Sequence, residues 1–194
     1  MILLIALVAG LTAGLLRAWW NKRAFQAIRL KYGWLVILAF IPQLVAFQWK
    51  VTSSSFPDAW APGALVSSQV ILLVFAWFNR RDPRVWVLGI GLLLNFLVIL
   101  LNGGLMPISP GTVQKLIPNA PSGSWHIGER LGTGKDIVLP SLSTRLGYLS
   151  DRFLLPSWLH YQVAFSLGDM FIAIGAFWLL WLLGGPPKPK EIPV

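Results

Sequence analysis

Five stretches of the chain, at about 2–20, 33–49, 63–78, 85–101 and 161–183, are apolar and nearly free of charge. A helix needs roughly 20 apolar residues to cross the hydrocarbon core of a bilayer. At that depth backbone polar groups must be satisfied within the segment, which selects helix. The pattern predicts an all-α membrane protein, a bundle of about five transmembrane helices. Residues 102–160 break it: Gly, Pro, Ser, Thr and most of the remaining charges collect there, and the stretch reads as one long extracytoplasmic loop. Nothing else in the chain has the length or periodicity of a second folded unit, so residues 1–194 are expected to form a single integral membrane domain.

The interruptions within the apolar runs carry information. In the first run Ala6, Gly10, Gly14 and Ala18 recur every four residues, a stripe of small side chains that lets another helix approach. That run has no basic segment before it and no A-x-A site after it, so it reads as a span and not a removable signal peptide. Pro42 and Gln43 interrupt the second run and predict a kink with partners inside a bundle. Ser67, Ser68 and Gln69 fall in the third run and Asn95 in the fourth, while Lys50 to Pro62 reads as a short outer loop.

Composition changes the picture in two ways. At 56% hydrophobic and 12% charged, the 194 residues carry more apolar surface than a soluble core of that length buries. The absence of cysteine excludes disulfides, thiolate catalysis and Cys-ligated metal. A net charge of +9 would suggest nucleic acid in a soluble protein. Here the cations sit in connections: Arg17, Lys22, Arg23, Arg29 and Lys31 follow the first run, Arg80, Arg81 and Arg84 the third, and Lys188 and Lys190 the last. By the positive-inside rule these segments are cytoplasmic, which puts the N-terminus outside, the C-terminus in the cytoplasm and the protein in the plasma membrane. Its expected partners are membrane lipids and, within the membrane, an anchored peptide, a lipid or a partner subunit, with no nucleic acid. Trp34, Trp49, Trp60, Trp86, Trp158 and Trp181 lie near the predicted span ends, as interfacial anchors do.

Asp169 is the residue with most potential chemistry, because a carboxylate at membrane depth costs about 2.5 to 3.5 kcal/mol even on insertion scales. Two origins are open for it. The spacing Ser166-Leu-Gly-Asp169 is that of a capping box at a helix start; otherwise Asp169 is a functional acid inside the last span. Asp151 and Arg152 precede that span, with Arg145 upstream. If Asp151 folds over Asp169, two carboxylates share a proton and can activate water. If Arg145 or Arg152 lies between them, the same residues form an ion-pair cluster. His126 and His160 have no zinc spacing, and no metal or cofactor is expected. Glu129, Arg130, Lys135 and Asp136, among Gly128, Gly132 and Gly134, read as a solvated, mobile loop.

The segment from Leu146 to Gly175, with Asp151-Arg152 and Phe165-Ser-Leu-Gly-Asp169, resembles the C-terminal end of bacterial lipoprotein signal peptidases. That resemblance implies a catalytic pair, Asp151 and Asp169. The box in this chain is Phe165-Ser-Leu-Gly-Asp169, and the G-N-x-x-D-R element of those peptidases is absent. Over its whole length the chain is more similar to an uncharacterised family of small bacterial membrane proteins, through Asn102-Gly-Gly-Leu-Met-Pro107, Thr144-Arg-Leu146, Asp151-Arg152 and Ser166-Leu-Gly-Asp169. The expected function is a non-enzymatic binding or complex-assembly role at a polar site on the outer membrane face, built from Asn102, His126, Arg145, Arg152 and Ser166. The alternative is a membrane-embedded aspartic hydrolase using Asp151 and Asp169.

Overall fold

The computed structural model describes residues 2–25, 30–48, 59–121, 123–156 and 162–185. Arg29, Trp49, Lys50, Trp158, His160, Lys188 and Lys190, and the expected outer loop before Ala59, lie outside the described residues. Four helices are long and apolar enough to cross a membrane: α1 (Ile2–Trp20), α3 (Trp60–Phe78), α4 (Pro83–Leu101) and α6 (Leu167–Trp181), the last prolonged by a 3-10 turn to Gly184. α2 (Trp34–Gln43) is shorter and passes directly into a π-helical turn over Leu44–Gln48. That change of winding follows Pro42, whose missing N–H and bulky ring disturb the regular ladder.

The helices pack in the order α2, α3, α4, α6, α1. Small residues set the closest crossings. A Cβ on Gly10 would lie 2.9 Å from the Phe177 Cα, and one on Gly14 2.4 Å from the Leu180 carbonyl oxygen. The stripe on α1 is therefore spent on α6, whose backbone it meets directly, and Gly10, Gly14 and Ala18 are buried there. Many other apolar side chains on these helices, Leu4, Val8, Leu16, Ile37 and Phe40 among them, are exposed, as a lipid-facing surface requires. Trp34, Trp60 and Trp86 are exposed near the helix ends.

α6 begins at Leu167, later than the apolar run that starts at 161, and the physical reason is local. The Ser166 side chain accepts from the Asp169 N–H at 3.0 Å, and an Asp169 carboxylate oxygen accepts from the Ser166 N–H at 3.2 Å. This is the complete reciprocal capping box, and it stops the helix there.

The described residues between 102 and 166 fold as a cap over one end of the bundle. Gly103 (φ 82°) and Gly104 (φ 87°) reverse the chain after α4, in a conformation costly for any residue with a Cβ. Strand β1 (Met106–Ile108) follows, then a short helix α5 (Pro110–Leu116) capped by Ser109. β1 pairs in parallel with β2 (Asp136–Val138), and on its other side Ile108 bridges Asp151. β3 (Phe153–Leu154) and β4 (Ala164–Phe165) form a second small antiparallel pair. β1 joins cap to bundle: Met106 packs with Leu65, Val98 and Ile99 of the helices, whereas Ile108 packs with Val113, Val138 and Ala164 of the cap.

Two asparagines at helix C-termini fasten distant chain. Asn79 donates to the Lys31 carbonyl at 2.9 Å and accepts from the Lys31 N–H at 2.8 Å. Asn102 does the same to Arg145, donating at 2.8 Å and accepting at 2.9 Å, and also donates to the Val98 carbonyl at 2.7 Å. Asn102 is buried, and its replacement leaves the Arg145 N–H and carbonyl without these partners. Asn102→Leu is expected to lower stability by about 2 kcal/mol, measured as loss of the thermal unfolding midpoint in lipid, and to increase proteolysis between 140 and 150.

Candidate functional site

Where the cap meets the helices there is a cavity of about 270 Å³. Its polar wall comprises Gln43 at the end of α2, Gln69 of α3, Asn95 of α4, Asp169 of α6 and Lys135 of the cap. Leu65, Leu72, Leu92, Ile99 and Ile172 supply the apolar remainder. Ile2 and Leu3, at the start of α1, also line it. Among the described residues α1 and α2 do not pack along one another.

The polar wall is largely self-engaged. Asn95 donates to an Asp169 carboxylate oxygen at 2.7 Å and accepts from the Ser166 hydroxyl at 2.8 Å. Gln43 donates to the Ser68 hydroxyl at 2.6 Å. Lys135 donates to Asp151 at 2.6 Å and lies 3.5 Å from Asp136. Asp151 is fully buried and is held in place by its N–H, which donates to the Pro107 carbonyl at 3.1 Å. Lys135 is held from the other side of β1, where its carbonyl accepts from the Met106 N–H at 3.0 Å. The short strand after Asn102-Gly-Gly thus fixes both members of the ion pair.

Burial opposes the charge on Lys135, but Asp151, Asp136 and Asp169 together outweigh it and hold the ammonium above the ordinary lysine range. Burial pushes the Asp151 carboxyl well up, against the pull of Lys135 and with added repulsion from Asp136 and Asp169. Three carboxylates around one ammonium favour retaining a proton, and the second oxygen of Asp151 is buried without a partner and can carry it. The sign for stability follows. The folded state binds more protons than the unfolded chain above the ordinary carboxylate range, so Asp151 opposes folding increasingly as pH rises toward its raised value. Lys135, raised above its ordinary value, contributes below the lysine range and loses that contribution only at strongly alkaline pH. Thermal unfolding followed from about pH 4 to about pH 7 is expected to show a falling midpoint, and Asp151→Asn is expected to flatten that slope.

The residues singled out in the sequence separate into two groups. Asp151, Asp169 and Ser166 join the network around the cavity. Asn102 acts behind it through backbone clamping. Arg145 is exposed and takes part through its backbone, and the Arg152 guanidinium lies over the rings of Tyr148 and Phe153 at 5.8 and 5.9 Å. His126 is exposed and meets Glu129 at 3.2 Å, away from the cavity wall. The cation beside Asp151 is therefore a lysine, from the stretch expected to be solvated. That expectation is corrected: β1–β2 pairing carries Lys135 and Asp136 inward. Arg130, over the Phe47 ring at 5.0 Å, donates to the Ala46, Thr133 and Gly134 carbonyls and anchors the turn before Lys135 to the π-helical turn after α2. The only sequence signal for this was the apolar pair Ile137-Val138 directly after Lys135-Asp136.

Beyond the geometry, residues 27–181 match the sequence profile of DUF5317, a family of unknown function. The chain belongs to that family. The match runs from the connection after α1 to the end of α6, so it contains the cap and every residue of the polar network. No curated protein and no solved structure matches the chain.

Proposed function

We propose that this DUF5317 protein is a five-span plasma-membrane protein, N-terminus outside, that binds an amphipathic molecule entering from the outer leaflet, without catalysing a reaction on it. The observation that carries this reading is the cavity under the cap, mainly apolar with one polar wall, where Asp169 of α6, Gln69 of α3 and Lys135 of the cap converge. An acyl chain would enter between α1 and α2, and the cap would cover the head group.

The orientation is testable because the chain contains no cysteine. Ser141→Cys, in the cap, is expected to label with a membrane-impermeant thiol reagent in intact cells, and Arg81→Cys only after permeabilisation. The reverse pattern would overturn the orientation. Binding is tested by native mass spectrometry of the protein released from lipid nanodiscs. A bound species present in the wild type and absent from Asp169→Asn supports the reading; bare protein across all lipid compositions counts against it.

A membrane-embedded hydrolase acting through Asp151 and Asp169 is the second reading, favoured by the repulsion of Asp169 on the Asp151 carboxyl. It has less support, because Lys135 engages Asp151 and the capping box engages Asp169. Cleavage of a diacylated lipopeptide by the reconstituted protein, lost in Asp151→Asn, would reverse this order.

A further inference from the structure

The donors and acceptors around the cavity are unequally spent. Asn95 gives its N–H to Asp169, Gln43 gives its own to Ser68, and the Lys135 ammonium is drawn to the cap by Asp151 and Asp136. Each amide keeps a second N–H, but the buried atom left without a partner on this wall is an acceptor. Gln69 is only 7% exposed, lines the cavity, and its side-chain oxygen is buried without a partner. Asp169, on the wall itself, receives one bond at each oxygen and keeps lone pairs for more. Charge runs the same way, with Asp136 and Asp169 acting on the Lys135–Asp151 pair. Opposite this polar wall are the aliphatic side chains of Leu65, Leu72, Leu92 and Ile172.

Resting on the binding reading above, we infer that the head group taken by this cavity is a protonated amine carried on an aliphatic chain. The ammonium donates to the Gln69 oxygen and to Asp169, while its chain lies along the leucines. An anionic head would face the carboxylates, and a hydroxyl head, which can donate to Gln69, would bring no charge to Asp169. Lys135 is not the recognition group. It neutralises the cap carboxylates, so that Asp169 is left for the ligand.

The test uses three amphiphiles of equal chain length: decylamine, decyl glucoside and decyl sulfate. Each is titrated against the full chain in phosphatidylcholine nanodiscs, with binding read from saturable shifts of the unfolding midpoint. Decylamine is expected to bind at least about tenfold more tightly than the glucoside, and decyl sulfate not to saturate. Gln69→Met removes the unpaired oxygen at nearly constant volume, so it should fold as well as the wild type and lose about tenfold in decylamine affinity. Asp169→Asn should lose more. Equal binding of amine and glucoside, or unchanged amine affinity in Gln69→Met, overturns the amine inference and leaves the binding reading standing. Preference for decyl sulfate also overturns it and makes Lys135 the recognition group. If no amphiphile saturates, the binding reading itself fails.

Discussion

Replacing Lys135 by methionine is expected to destabilise the protein by about 2–3 kcal/mol near neutral pH, and the loss should shrink as the pH is lowered. The size follows from what is left behind. Asp151 is fully buried, and the Lys135 ammonium at 2.6 Å is its one side-chain partner. Removing one member of a fully buried pair costs about 3–5 kcal/mol. Here the lysine side chain keeps about a third of its surface accessible, 37%, so part of its attraction is screened and the lower figure applies. The pH dependence separates charge from packing. Burial already pushes the Asp151 carboxyl upward, and without Lys135 the group escapes the penalty by taking up a proton. Asp151→Asn in the Lys135→Met background should accordingly restore most of the stability at neutral pH and remove the pH dependence. A defect that persists unchanged at low pH, or survives in the double variant, would mean that Lys135 supports the cap by packing alone.

The same pair shows where the sequence could be read and where it could not. The spanning helices are legible because each carries its signal locally, as an apolar run ended by charge, Gly or Pro. The start of α6 is legible too, since Ser166 and Asp169 bond within four residues. That reading explains the carboxylate, which a helix needs, and also explains why it is held by Asn95: the helix start faces α4. Lys135 had no local signal. A charged residue among Gly132, Gly134 and Asp136 has the composition of a solvated turn. It is carried inward to Asp151 because β1 and β2, separated by α5 and a long turn, pair with each other. Arg145 and Arg152 misled for the converse reason. Arg152 is next to Asp151 and Arg145 six residues before it; a residue adjacent along an extended chain points to the opposite face, and Arg152 lies on Tyr148 and Phe153 instead. Gln43, Gln69 and Asn95 were visible one by one as polar interruptions of apolar runs. Their convergence on one cavity is a property of helix packing and is written in no single segment.

Gly168→Ala tests that convergence at its closest point. A Cβ on Gly168 would lie 2.0 Å from the Asn95 side-chain oxygen and 2.8 Å from the Gly91 carbonyl oxygen, and the α4–α6 crossing has no free space to yield. Overpacking of this kind costs about 1–3 kcal/mol. The upper part of that range is expected because relief requires Asn95 to swing away, which breaks its bonds to Asp169 and Ser166 together. Gly63, also within a helix but with nothing within 4 Å of a Cβ, is the matched control. There alanine should stabilise by up to about 1 kcal/mol through helix propensity. Asn95→Ala combined with Gly168→Ala should cost less than the two changes summed, because the oxygen that the new methyl strikes has gone, while the Gly91 carbonyl keeps some strain. If Gly168→Ala behaves like the Gly63 control, α4 and α6 do not approach as closely as described. In that case the Asn95–Asp169 bond, and with it the polar wall of the cavity, would have to be rebuilt.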